Sequence, residues 1–200
     1  MPVPSLPEIA RALFATWRIA RGDRGAVAYL PNTPDAVWKS FFAAVLLAPF
    51  WAVVIWAMAT AAWADYEPLP VALINLASYA AAWLVWPVLS HEIARFGGCL
   101  DNWCRYVVAY NWSEIWIMML RLPIVAVMAG GLLDTGPALL LWLVSLALVV
   151  GYRYLIAREV LGLGAAAAFG TAILEVLVSY AWGAFENAML APYFVPHIMD

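Results

Sequence analysis

Two hundred residues that are 66% hydrophobic and 12% charged, with a mean hydropathy of +0.86, stand far from soluble globular chains, where about a quarter of residues are charged. A net charge of −3, with only ten Lys and Arg, leaves no basic patch to neutralise phosphates and excludes nucleic acid as a partner. The composition predicts an all-α integral membrane protein with five transmembrane helices and an N-terminal amphipathic interfacial helix. Residues 1–37 read as a cytoplasmic lead and linker, 38–185 as the five-helix transmembrane domain and 186–200 as an extracytoplasmic tail.

The first 38 residues lack the apolar core of a signal peptide and contain Pro2, Pro4 and Pro7, so the N-terminus is expected to be retained. Residues 5–20 open on Ser5-Leu-Pro-Glu8, a capping-box pattern with proline in the first turn. Leu6, Ile9/Ala10, Leu13, Trp17 and Ala20 line one face, and Glu8, Arg11 and Arg18 lie away from it. Such a helix is too short and polar to span; it lies on the cytoplasmic membrane surface or docks on a partner protein. Residues 21–35 are turn-rich, and the Arg21-Gly22-Asp23 triplet falls on the cytoplasmic side, where it carries no adhesion meaning.

Thr33-Pro34-Asp35 leads into a first span over 38–63, with Lys39 at its inner mouth and Pro49 expected to kink it. After an acidic turn at 65–70, the second span covers 69–89, about enough to cross a ~30 Å hydrocarbon layer. His91, expected to cap that helix, is followed by Glu92, Arg95, the Gly97-Gly98 break and a loop holding Cys99 and Cys104. Those two thiols read as reduced, and a zinc site would need more ligands than they and two distant His supply. The third span, 106–128, is the polar one, with Pro123 inside it. A turn at 130–137 precedes the fourth span, 138–156, which ends in the interfacial-belt residues Tyr152 and Tyr154 with Arg153 and Arg158. The fifth span, 163–185, opens with the small residues Gly164, Ala168 and Gly170, whose spacing lets helix backbones approach closely.

Charge orients the spans. Arg11, Arg18, Arg21, Arg24, Lys39, Arg95, Arg105, Arg153 and Arg158 fall on one side, Arg121 lies within a span, and none of the ten falls on the other side. The positive-inside rule then puts the N-terminus in the cytoplasm and the C-terminus outside.

The candidate site lies in the third span. Polar groups at bilayer depth are costly and usually face a bundle interior or a cavity. Asn111, Glu114, Met118 and Arg121 share a helical face, with Tyr110 and Ser113 beside it. Glu114 and Glu175 lie at nearly matching depths of their spans. Arg121, about seven residues and roughly 10 Å further out, is expected between the two carboxylates or paired with Glu175. The plain alternative is that this face only fastens helices together. A conduction path needs polar groups reaching both faces; Arg105, Tyr110 and Asn111 supply the inner half, and nothing comparable is expected to run outward past Pro123. No Ser/His/Asp grouping, HExxH or phosphate-binding loop is present, so neither enzyme activity nor a cofactor is expected.

With five spans, N-in and C-out, and the phrases at 33–42 (TPDAVWKSFF) and 106–113 (YVVAYNWS), the chain resembles a bacterial member of the Yip family. The resemblance covers the five-span portion and implies residence in the bacterial inner membrane. The Gly-Pro signatures of eukaryotic members, which bind small GTPases, are absent, so it carries no such partner over. Two functions follow: a non-enzymatic protein that packs against a larger membrane assembly or organises lipid, favoured by twelve Trp and the small-residue faces, or a small transporter or channel-like protein using Glu114, Arg121 and Glu175.

Overall fold

The computed structural model describes residues 3–61 and 66–194; Pro2, Trp63, Asp65, Pro196, His197 and Asp200 lie outside them. Among the described residues the protein is helical, and the one β pairing is an isolated antiparallel bridge between Tyr66 and Phe194. Four helices among the described residues are long and apolar enough to cross a membrane: Pro34–Trp56, Pro68–Phe96, Thr135–Leu161 and Ala165–Tyr193.

The first helix, α1 (Leu6–Ala20), starts at the Ser5 cap: Glu8 Oε2 accepts from the Ser5 amide at 2.7 Å and from its hydroxyl at 2.8 Å. Its buried residues are Ala12, Ala15, Thr16 and Ile19. The larger members of the expected stripe behave differently, with Leu6 and Trp17 exposed. Small side chains let α1 approach its neighbour closely, so the buried face is the alanine face rather than the bulky one. The Thr16 hydroxyl donates back to the Ala12 carbonyl at 2.9 Å and accepts from Trp116 Nε1 at 3.1 Å, while Tyr152 OH donates to the Thr16 carbonyl at 2.9 Å. The helix is thus built into the protein core. The triplet at 21–23 is a turn: Gly22 takes a positive φ of 79°, Arg18 pairs with Asp23, and the Asp23 carboxylate caps a short 3₁₀ turn, Arg24–Tyr29.

Thr33 caps α2 (Pro34–Ser40), accepting from the Ala36 amide with Pro34 in the first turn. The expected first span is interrupted here, at Phe41, before α3 (Phe42–Ala61), which contains Pro49. The Ser40 hydroxyl donates to the Val37 carbonyl at 2.7 Å and the Ala44 amide reaches only to Phe41, a tightened turn between the two helices. The next helix, α4 (Pro68–Phe96), runs past His91, which lies inside it beside Glu92 instead of capping it; Gly97 ends it. At 29 residues and 1.5 Å each it is about 43 Å long, so its last turns extend beyond a ~30 Å apolar layer. Cys99 and Cys104 are unpaired and half-buried.

At the centre lies α5 (Trp103–Ala129), the least apolar of the long helices, carrying Arg105, Glu114 and Arg121. It packs against α1, α2, α3, α4 and α6, and Tyr106, Val107, Val108, Ala109 and Trp112 are buried in the core. That accounts for a polar helix among apolar ones: other helices cover its first half, which carries Asn111 and Ser113, whereas Met119 and Met128 in its second half are exposed. Next, α6 (Thr135–Leu155) continues into a π-helical turn, Ile156–Leu161, that stops at left-handed Gly162, φ 88°. The last helix, α7 (Ala165–Leu190), extends beyond the expected end at 185 and closes with a 3₁₀ turn, Ala191–Tyr193. There the Glu67 amide donates to the Tyr193 carbonyl at 3.1 Å, fastening the start of α4 to the end of α7.

Candidate functional site

The expected polar residues gather around a side chain that the sequence reading placed elsewhere. Arg153, expected among the basic residues on the cytoplasmic side between the fourth and fifth spans, is buried at 3% exposure. Its guanidinium pairs with Glu114 through Nη2 and donates to the Ser113 hydroxyl through Nη1, and its Nε lies 2.8 Å from Glu175 Oε1. The guanidinium carbon stands 4.0 Å from the Tyr110 ring centroid, a cation–π contact. Four elements of the expectation, Tyr110, Ser113, Glu114 and Glu175, therefore converge on one cation contributed by α6.

The reason Arg153 was misplaced is local. A span ending at 156 leaves it three residues from the boundary. The helical path continues through the π turn to Leu161, which puts Arg153 eight residues from the end, about 12 Å deep. Gly162, a helix-terminating glycine with left-handed φ, was the available cue.

Two other members of the expected group sit apart. Asn111 faces α2, where its amide donates to the buried Ser40 hydroxyl at 2.8 Å. Arg121 does not meet Glu175, which is taken by Arg153; its guanidinium carbon lies 5.5 Å from the Trp142 ring centroid, and its buried Nε has no hydrogen-bond partner. Of the expected packing residues on α7, Ala168 is fully buried. Gly164 and Gly170 are exposed, with no side-chain or foreign backbone atom within 4 Å of where a Cβ would stand. Close approach of α7 therefore uses Ala168 and Ala172, and the two glycines leave open surface.

Glu114, Arg153 and Glu175 form one end of a cleft of about 610 Å³ lined by α3 to α7. Arg121 and Trp142 line it further along, with Asn75, Ser78 and Tyr79 from α4 and Ser179, Trp182, Glu186 and Asn187 from α7. The polar groups missing from α5 beyond Pro123 are thus supplied by its neighbours. Trp182 Nε1 donates to Ser78 Oγ at 2.8 Å and Tyr79 OH to the Ala44 carbonyl at 2.7 Å, so α4 is tied to both α7 and α3. At the opposite side of the charged group the protein is closed: Trp86 and Tyr106 are buried, and the Trp86 indole donates to the Tyr106 hydroxyl at 2.9 Å. The far end reaches Glu186 and Asn187, and Asn187 is exposed.

With all three groups ionised, the cluster carries two carboxylates against one guanidinium. Four buried polar atoms of cleft-lining residues make no hydrogen bond: Glu175 Oε2, Asn75 Oδ1, Arg121 Nε and Arg153 Nε, the last at ion-pair distance from Glu175 Oε1 but not aligned for a hydrogen bond. Among the described residues no group of three His, Cys, Asp or Glu stands close enough to hold a metal ion. The chemistry available is recognition of charge and hydrogen-bond donors in an apolar surround. No family model matches the chain, and no curated protein or solved structure is significantly similar to it.

Proposed function

We propose that the protein is a small five-span transporter of the bacterial inner membrane, with its N-terminus in the cytoplasm, that takes up a small polar solute through the cleft from the outer side. The observation that carries this reading is the cleft itself: a buried ion cluster at its closed end, an unpartnered Arg121 along its wall and an exposed Asn187 at its mouth. A structural clamp alone requires Glu114, Arg153 and Glu175 to meet, but it gives no reason for a polar-lined space beside them or for a half-buried Arg121 without a carboxylate.

The orientation rests on charge. Removing Arg121 and Arg153 from the ten basic residues leaves eight, all at the end of the bundle that carries α1, and none at the end formed by Glu67, Asp134 and Glu186. That asymmetry favours α1 on the cytoplasmic side and the cleft mouth outside. The fifth crossing is α5, whose 27 residues are long enough and whose charges are sheltered by the other helices. The outer surface of α1, including Leu6, Phe14 and Trp17, is free to rest at the membrane interface.

The test is side-selective labelling. In a background with Cys99→Ser and Cys104→Ser, Ser179→Cys in the cleft should react with a membrane-impermeant methanethiosulfonate added outside. Reaction only from the cytoplasmic side, or none from either, would refute the outward cleft.

The accessory reading, a protein packed against a larger membrane assembly, is favoured by a different feature. A second, apolar groove of about 570 Å³ runs between α1, α5 and α6, lined by Trp17, Trp116, Leu148, Gly151 and Tyr152. A lipid tail or an apolar helix of a partner fits that surface, and a stoichiometric companion protein in native mass spectra would put this reading first.

A further inference from the structure

On the reading of the cleft as a solute site, we propose that its ligand is a zwitterion, whose ammonium is received at Glu175 and whose anionic group is received at Arg121. Glu175 Oε1 is engaged by Arg153, while Oε2 is buried and without a donor in a residue only 7% exposed. A carboxylate oxygen in that state calls for a donor, and an ammonium supplies three N–H groups and the charge that the two-carboxylate, one-guanidinium cluster is short of. Arg121 presents the opposite need. It contributes a buried Nε with no acceptor, and no carboxylate among the described residues lies within ion-pair distance of it. A guanidinium matches a carboxylate in planar, bidentate fashion.

The balance of charge selects a zwitterion over either single ion. One net negative charge at the cluster and one positive charge at Arg121 cancel, so a ligand that is neutral overall but charged at both ends pairs each group and leaves none over. A simple cation would leave Arg121 without an anion, and a simple anion would leave Glu175 Oε2 without a donor and the cluster one positive charge short.

Geometry sets the length. Glu114 and Glu175 both hold Arg153, which puts them at one level. Arg121 is seven residues further along α5, about 10 Å. An extended chain covers at most ~3.3–3.6 Å per residue, so charges about 10 Å apart match the two ends of a tripeptide, or of an ω-amino acid of similar reach. Between the two charged positions the cleft is walled by Trp83, Ile117 and Met118, an apolar midsection suited to small side chains or methylenes.

Isothermal titration of the detergent-purified protein tests this with trialanine, its N-acetyl and C-terminal amide derivatives, and 8-aminooctanoate, which has the same number of bonds between its charged ends. Trialanine should bind, and either blocked derivative should bind roughly tenfold or more weakly, the loss of one charge-assisted contact. Binding of 8-aminooctanoate as well would support recognition of the two charges alone; its failure beside trialanine would place the peptide units in the recognition. Arg121→Gln should weaken trialanine but leave its amide unchanged. That variant keeps the Arg153 cluster intact, so its loss cannot be assigned to misfolding. Equal affinity for blocked and unblocked forms, or no binding of either zwitterion, would overturn the assignment. If Ser179→Cys is nonetheless labelled from outside, the cleft reading survives and only the ligand class is wrong.

Discussion

Arg153 on α6 and Glu175 on α7 meet at 2.8 Å, Nε to Oε1, with Glu114 of α5 closing on the same guanidinium. Three helices are thus joined at one buried cation. Removing one member of a buried ion group strands the charges that remain, at a cost of about 3–5 kcal/mol, whereas removing all of them is far cheaper. Arg153→Met is therefore expected to lower the melting temperature in detergent sharply, because it leaves two carboxylates side by side. The triple variant Arg153→Met, Glu114→Gln, Glu175→Gln should recover much of that loss. A triple variant no more stable than Arg153→Met alone would show that the three do not act as a unit.

At the other end of the molecule, Glu8 accepts from the Ser5 amide and hydroxyl and pairs with Lys39 at 3.0 Å. The Ser5 amide first, and then the Lys39 ammonium, hold its carboxyl down at about 2 against an ordinary value of 4.5. A carboxyl with a depressed folded value contributes stability that is fully present above its unfolded value and is lost as pH falls through the folded one. The difference in melting temperature between the wild-type protein and Glu8→Gln should accordingly be constant above pH 4.5 and shrink toward zero as pH falls toward 2. A difference that instead grows with acid would mean that the carboxylate is not the stabilising form.

How far the fold was legible depended on whether the signal was local. Ser5 with Glu8, and Thr33 with Pro34, announce helix starts because a cap needs only a few neighbouring residues, and the structure places helices at both. The polar residues of α5 were readable as an interior face because apolar surroundings make them conspicuous. The partner that organises them was not. Arg153 sits between two tyrosines near an apparent span end, and only the π turn, a departure from regular helix, carries it inward. Similarly, the burial of α1 follows from alanines on a face that a search for bulky apolar residues passes over.

Thr16 offers a direct test of that burial. Its hydroxyl is the acceptor for the Trp116 indole, and its side chain is wholly buried. Thr16→Val keeps the shape and removes the acceptor, leaving a largely enclosed N–H unpaired at a cost of about 1–3 kcal/mol. Thr16→Ser, which keeps the hydroxyl, should cost less. Melting curves of the two variants decide it; equal losses would show that the hydrogen bond contributes nothing and that α1 is held by packing alone.

The last prediction separates Arg121 from the cluster that its position on α5 had implied. If Arg121 paired with Glu175, removing either would expose the other, and the double variant would lose less than the sum of the singles. In the structure Glu175 belongs to Arg153, and Arg121 rests over Trp142 about 10 Å further along the helix. Sites that far apart without shared partners add to within about 0.5 kcal/mol. Arg121→Leu also removes a half-buried cation that has no carboxylate partner among the described residues, so by itself it should leave stability unchanged or raise it, as expected where a charge is kept for binding at the expense of stability. Glu175→Leu should destabilise, since it takes one carboxylate from Arg153. Melting temperatures of the two single variants and the double would then be additive. Arg153→Leu combined with Glu175→Leu, measured alongside, should be strongly non-additive. Coupling between Arg121 and Glu175 comparable to that of the Arg153 pair would mean that the two side chains meet in the membrane, and Arg121 would cease to be available to a ligand.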